Sequence, residues 1–197
     1  MAESPADDAR LRHERWILGL AAHPGVVTLA GRPTPAEGRT VLRTRAVPGR
    51  PLATMDELTA SEVAGLGAAL ATTVADLHDA GITHGRLGGD HILVDASGRP
   101  VLCGFSEAAA TTCGPVPALT ADVVALCGTL AAMLGAVPGA PPGAGDPSVV
   151  MARLLKQLTA RSVTGGRRGS ARQLADRLDD VRLAPRLPSR ARRPVPG

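Results

Sequence analysis

Aromatic side chains are nearly absent from this chain of 197 residues, which contains Trp16, Phe105 and no tyrosine. A nucleic-acid surface that stacks bases on aromatic rings is therefore not expected. Lysine occurs once, as Lys156, and asparagine does not occur. A catalytic site that needs both a lysine and an asparagine is therefore excluded, because the chain has no asparagine to supply.

Cysteine is also scarce, and Cys103, Cys113 and Cys127 are odd in number and widely spaced. This pattern predicts reduced thiols in a cytoplasmic protein, with neither a disulfide framework nor a zinc knuckle. The chain opens on an acidic, polar stretch, so no signal peptide is predicted.

A run without charged residues extends from Val123 to Gly145. Prolines interrupt this run, so its helical part, Val123 to Val137, has about 15 residues, whereas crossing a bilayer takes about 20. A helix this short and apolar is more typical of a domain interior than of a membrane. We therefore predict no transmembrane segment.

The net charge of +4 comes from the C-terminal end, where residues 182–197 hold five arginines and no acidic residue. Removing those five charges leaves −1 for the rest of the chain. The arginine- and proline-rich end is predicted to be a disordered tail, with at most weak contacts to anionic lipid or nucleic acid. The apolar fraction of 44% predicts a folded domain with a core before the tail.

Apolar periodicity predicts a mostly helical chain with a few small antiparallel strands. The first helix covers residues 6–22, with Leu11, Trp16, Ile17 and Leu20 on one side, and short strands follow at 26–29 and 41–44. The next predicted elements are a long helix after the capping box of Thr59 and Glu62 and a hairpin of 92–94 with 101–103. A helix from Asp122 follows, and two more helices end the fold, the last of them opened by Ser170 and Gln173.

Three segments in succession carry a recognisable pattern. They read LHDAGITHGRL at 77–87, DHILV at 90–94 and VLCGFS at 101–106. Their order and spacing resemble the protein kinase family, whose pattern is H-R-D-L-x-x-x-N followed by a hairpin and D-F-G. Within that family the chain resembles bacterial serine/threonine kinases, and its composition is typical of a high-GC bacterium.

The resemblance covers residues 8–181. Glu14 stands where the family has its αC glutamate, Thr44 at the gatekeeper position, Asp122 at the start of the αF helix, and Arg168 in a segment like R-P-T-A. The family's Gly-rich loop and third strand have no counterpart, because the resemblance begins almost at αC.

The resemblance implies an α+β, protein kinase-like fold. Residues 8–47 would form a reduced N-lobe with only the αC helix and the family's fourth and fifth strands. Residues 48–181 would form a mostly helical C-lobe, between a disordered N-terminus at 1–7 and the tail at 182–197.

The residues that transfer phosphate in the family are replaced here. Arg86 stands where the family has the aspartate that accepts the substrate proton, and His91 where it has the metal-binding asparagine. Gly104 replaces the metal-binding aspartate of D-F-G, and the lone lysine lies far downstream. The chain is therefore expected to be a pseudokinase, with no catalytic residue and no cofactor.

The residues that would maintain packing are retained. In the family, residues at the places of Leu18, His84 and Phe105 form a hydrophobic spine between the lobes. Asp122 would accept backbone N–H bonds from the loop that contains His84 and hold its shape. The resemblance thus implies that this chain retains the family's packing residues and has lost its phosphate-transfer residues.

Several of these residues have a structural interpretation beside a functional one. Arg86 could bind an anion, but a solvent-facing loop arginine is favoured. Asp90 and His91 could bind a metal, yet two adjacent groups do not make a site. Glu14 without a lysine partner is more often a polar helix residue than a regulator. Cys103 is expected to be a small core residue rather than a reactive thiol.

The leading functional hypothesis is a regulatory or protein-interaction module in signalling. A reduced N-lobe would expose an apolar face of its helix and an open strand edge, which a protein partner or another copy would cover. The alternative is an ATP- and Mg²⁺-dependent protein kinase or small-molecule phosphotransferase with an unorthodox site. A third hypothesis, a tether to nucleic acid or anionic membrane through the arginine tail, ranks behind both.

Overall fold

The computed structural model describes residues 5–31, 41–56, 58–110, 116–134, 147–163 and 170–183. These residues form an α+β structure of five helices and two small antiparallel sheets, which confirms the predicted class. The helices are α1 (Pro5–Leu20), α2 (Ala60–Asp79), α3 (Val116–Ala132), α4 (Pro147–Val163) and α5 (Ala171–Leu183). Within the described residues, no helix combines the length and apolar character that crossing a membrane requires.

Helix α2 begins at the predicted capping box. The hydroxyl of Thr59 accepts a hydrogen bond from the Glu62 N–H, and the Glu62 carboxylate accepts one from the Thr59 N–H. These bonds satisfy two backbone donors that the first turn would otherwise leave free. The apolar residues predicted to lie on its inner face are all buried: Val63, Leu66, Leu70, Val74 and Leu77.

Three helices extend beyond their predicted boundaries. Helix α3 begins at Val116 rather than at Asp122, because Pro117 in its first turn lacks only an N–H that would have no helical partner there. Helix α1 begins at Pro5, so its first turn includes residues 5–7, which the sequence analysis assigns to a disordered N-terminus. Similarly, α5 includes Arg182 and Leu183, and the remainder of the predicted tail lies outside the described residues.

The larger sheet contains the predicted hairpin. Strands β3 (Ile92–Asp95) and β4 (Pro100–Leu102) pair antiparallel, and β1 (Gly49–Pro51) pairs with the other edge of β3. Strand β1 was not predicted, because Pro48 and Gly49 indicate a break in the chain. At a sheet edge a proline costs little. A Cβ atom on Gly49 would lie 2.3 Å from the carbonyl oxygen of Val94, so only glycine allows this approach.

The predicted strands at 26–29 and 41–44 pair only through single bridges. Leu29 opposes Thr44 in an antiparallel bridge, and Val26 opposes Leu102 in a parallel one. The Val27 N–H donates to the Leu102 carbonyl at 2.9 Å, which attaches this segment to β4. The turn predicted between the two segments lies mostly outside the described residues.

A short sheet and a short helical turn position the backbone of the candidate site. Strand β2 (Ile82–Thr83) follows α2 and pairs antiparallel with β5 (Ala109–Ala110). A short 3₁₀ turn, Phe105–Glu107, lies between β4 and β5 and contacts α1. The loop after β2 and the turn after β4 therefore meet beside α1.

Candidate functional site

Asp122 of α3 anchors the loop that follows β2. Its two carboxylate oxygens accept the N–H groups of His84 and Gly85 at 2.8 and 2.9 Å, and His78 Nε2 lies 2.9 Å from one of them. The residue is only 1% exposed. A carboxylate this deeply buried is stable only when it is hydrogen-bonded, and these three bonds satisfy it. The hydrogen bonds that the sequence analysis expects of Asp122 are thus present.

His84 lies under the loop as a neutral ring. Its Nε2 donates to the Cys103 carbonyl at 3.1 Å, and its Nδ1 accepts the Arg86 N–H at 3.3 Å. Burial lowers the pKa of His84, which favours the uncharged imidazole that this pair of bonds requires. The ring also contacts Phe105, with ring centroids 4.6 Å apart. His84 therefore connects the loop to the turn after β4.

Glu14 connects α1 to the same turn. Its Oε1 accepts the backbone N–H of Phe105 at 2.8 Å, and on the same helix His13 Nε2 lies 2.7 Å from the Ala108 carbonyl oxygen. Leu18 and Phe105 are buried in one apolar cluster. The sequence favours a merely polar role for Glu14, and this contact was not predicted because 91 positions separate the two residues.

His91 and Gly104 stand at the two positions to which the predicted resemblance to kinases assigns metal binding. Gly104 has a left-handed backbone (φ +76°, ψ +56°), and a Cβ atom on it would lie 2.5 Å from His91 Cδ2 and 3.0 Å from His91 Nε2. The ring is held there by its Nδ1, 2.7 Å from the Arg86 carbonyl, while the His91 carbonyl accepts the Cys103 N–H at 2.9 Å. The imidazole thus fills the space that a side chain at position 104 would need.

These residues do not fit a nucleotide-bound magnesium ion. Magnesium prefers oxygen ligands, chiefly carboxylates and water, and the carboxylate expected at position 104 is replaced by a glycine beneath an imidazole. Within the described residues, no cluster of three or more histidine, cysteine, aspartate or glutamate side chains could hold a metal ion.

Arg86 and Cys103 join this arrangement through their backbone groups, and their side chains take no part in these hydrogen bonds. The Arg86 side chain is exposed, in agreement with the interpretation as a loop arginine, and Asp90 is exposed too. Burial raises the pKa of the Cys103 thiol, which keeps it in its unreactive, protonated form. Cys113 and Arg168 lie outside the described residues.

An open cavity of about 510 Å³ is lined by neither His84 nor Phe105. Its walls include Ala53, Met55, Gly89, Thr129 and Met133, and none of its lining residues is charged. The sequence analysis did not predict it, because its walls come from three separate segments with no shared motif. It contains none of the predicted site residues.

Comparisons with known proteins add no family assignment. No protein-family model matches the chain, and no curated protein matches it. The resemblance to protein kinases therefore rests on the motifs of this chain and stays a prediction.

Proposed function

We propose that this chain is a kinase-like domain without phosphoryl-transfer activity, which regulates another protein by binding it. The observation that carries the proposal is the contact between His91 and Gly104. An ordinary kinase site needs an oxygen ligand at each of these positions to bring metal to the phosphates. Here one position has no side chain, and the ring of the other fills the space of the missing one.

The surrounding hydrogen bonds support the proposal that the domain acts by binding another protein. Asp122, His84 and Glu14 all direct their polar atoms to backbone groups of the loop and of the turn after β4. Groups that are already satisfied in this way maintain a shape and are not aimed at a substrate. A domain that keeps its loop geometry without the metal ligands is suited to recognition by a partner protein.

The proposal is tested by thermal unfolding with ATP, alone and with Mg²⁺ or Mn²⁺. A ligand present at a hundred times its Kd adds about 2.7 kcal/mol to the free energy of unfolding. For a domain of this size that raises Tm by about 5–10 °C. We expect no shift with nucleotide in either condition. A metal-dependent shift, together with phosphate transfer that Arg86→Ala abolishes, would overturn the proposal in favour of the enzyme hypothesis.

A further inference from the structure

Two short extended segments, residues 26–30 and 42–46, pair antiparallel beside β4. The second of them is called the edge segment below. Two backbone hydrogen bonds of 2.8 and 2.9 Å, one given by the Arg45 N–H and one received by the Arg43 carbonyl, join the edge segment to residues 26–30. Among the described residues, the edge segment is therefore the outer strand of this pair.

Thr44 lies between these two bonds and faces away from the paired segment. In an extended strand the N–H and C=O groups of successive residues point to alternate sides, so those of Thr44 point outward. Within the described residues, neither group has a hydrogen-bond partner, and the backbone groups of Leu42, two positions earlier, have none either. An unpaired strand edge of this kind is a template on which another extended chain can pair.

The two faces of the edge segment differ in chemistry. Leu42 is half-buried and packs against the core, whereas Arg43 and Arg45 alternate with Thr44 on the opposite face and are exposed. Neither arginine forms an ion pair with another described residue. Both segments of the pair also lack acidic residues. The free backbone edge is therefore flanked by two cationic side chains on one face and by an apolar side chain on the other.

We infer that the edge segment binds an extended, acidic segment of a partner protein, which adds to the free edge as a further strand. The inference rests on the proposed function and specifies the chemistry of its partner. The partner backbone pairs with the N–H and C=O groups of Thr44. Its carboxylates face the two arginines, and the apolar residues that alternate with them lie on the side of Leu42.

Charge argues against a second copy of this chain as the occupant. Two antiparallel copies related by a twofold axis at Thr44 would place Arg43 of each copy opposite Arg45 of the other. Like charges directly opposite each other on neighbouring strands are destabilising, and this contact would contain two such pairs. An acidic strand instead gives pairs of opposite charge at the same two positions.

The binding test uses two short fluorescein-labelled peptides in which valine alternates with a charged residue. One peptide has glutamate at the charged positions, and the other has lysine. We expect only the glutamate peptide to increase in anisotropy when the full chain is added, with Kd rising at higher salt because salt screens the exposed charges.

Backbone pairing is tested on the glutamate peptide itself. Two further versions carry N-methyl groups, one on its valines and the other on its glutamates. Since alternate N–H groups point to opposite sides of an extended strand, one version removes the donors that face the edge and the other keeps them. We expect Kd to rise by about tenfold or more for one version and to change little for the other.

Matched charge reversals locate the contact. The double variant Arg43→Glu, Arg45→Glu should raise Kd for the glutamate peptide by about tenfold and should gain binding of the lysine peptide. The control is Arg153→Glu, Lys156→Glu, because both residues are exposed on α4 and the change in charge is the same. It should leave Kd within about twofold, since screened charges far from the contact contribute little. Circular dichroism and Tm establish that each variant folds.

Four outcomes would overturn the inference. These are binding of neither peptide, equal binding of both, equal binding of the two N-methylated versions, and equal weakening by the two charge reversals. Dimerisation of the free chain that Arg43→Glu, Arg45→Glu alters would also overturn it, by assigning the edge to a second copy. The peptide measurement needs no nucleotide and the ATP measurement needs no peptide. Failure of this inference and failure of the proposed function are therefore distinguishable.

Discussion

Asp122 and Asp76 each bind the Nε2 atom of a histidine, but their surroundings are opposite. The Asp122 side chain is 2% exposed and binds His78 together with two backbone N–H groups. The Asp76 side chain is 38% exposed and binds His23 at 3.1 Å and Arg172 at 2.9 Å. The first aspartate fixes the backbone of a loop, whereas the second joins side chains that water can also solvate. We therefore expect burial, rather than the number of partners, to decide how much each contributes to stability.

The largest effect is expected for Asp122→Ala. The substitution leaves the buried His84 N–H and the part-buried Gly85 N–H without an acceptor, and a buried donor left unpaired costs about 1–3 kcal/mol. We expect the free energy of unfolding, measured in urea, to fall by about 3 kcal/mol or more. Asp90→Ala, in an exposed position, is the control and should change little. A loss below about 1 kcal/mol would remove the distinction between the two aspartates.

A somewhat smaller loss is expected for Gly104→Asp, because its Cβ would overlap the His91 ring. Gly98→Asp is the matched control, since Gly98 also has a positive φ, +80°, but nothing lies within 4 Å of its Cβ position. We expect Gly104→Asp to cost about 1–3 kcal/mol more than the control, the usual range for overpacking. Adding His91→Ala should recover most of that difference. No recovery in this double-mutant cycle would mean that His91 does not crowd position 104.

An intermediate loss is expected for Glu14→Ala, because Glu14 is half-buried and makes a charged hydrogen bond to the Phe105 N–H. Such bonds contribute about 1.5–3 kcal/mol, and partial exposure places this one near the lower limit. Glu14→Gln keeps an acceptor oxygen and should retain most of the stability. Arg15→Ala, on the exposed side of α1, is the control. Equal stability of all three variants in urea would contradict a structural role for the bond.

The smallest effect is expected for Asp76→Ala, below about 1 kcal/mol and weaker at high salt. The hydrogen bond from Arg172, and to a smaller extent that from His23, lowers the pKa of the Asp76 carboxyl below 3.8. A lowered pKa in the folded state means that this contribution is present above about pH 3.8 and is lost as the pH falls further. Urea unfolding at pH 7 and at pH 3 checks it, because the difference between wild type and variant should shrink at pH 3. A larger effect than that of Asp122→Ala would reverse the comparison.

Local features of this chain were predictable from the sequence, and contacts between distant segments were less so. The capping box at Thr59 and the hairpin of β3 and β4 each depend on residues a few positions apart, and both were predicted correctly. The expected bonds to Asp122 came from a motif rather than from periodicity. The kinase-like fold and its function stay predictions.

The buried side of α1 could not be predicted from apolar periodicity alone. The pattern predicts one apolar side for α1, made of Leu11, Trp16, Ile17 and Leu20, but the structure buries Ile17 and exposes Trp16 and Leu20. Periodicity identifies which residues share a side of a helix. It does not show which of those side chains other segments of the chain cover. The Glu14 contact was missed for a related reason, since its partner lies far away along the chain.

The bond between Glu14 and Phe105 also bears on the order in which the chain folds. It joins residues 91 positions apart, so closing this contact requires ordering a long loop of chain. A 16-residue helix is only marginally stable alone in water, whereas α2 has 20 residues and a capping box formed by neighbouring residues. We therefore expect α1 to dock late in folding and to detach first in the native state. Its amide protons should then exchange with solvent well before those of α2.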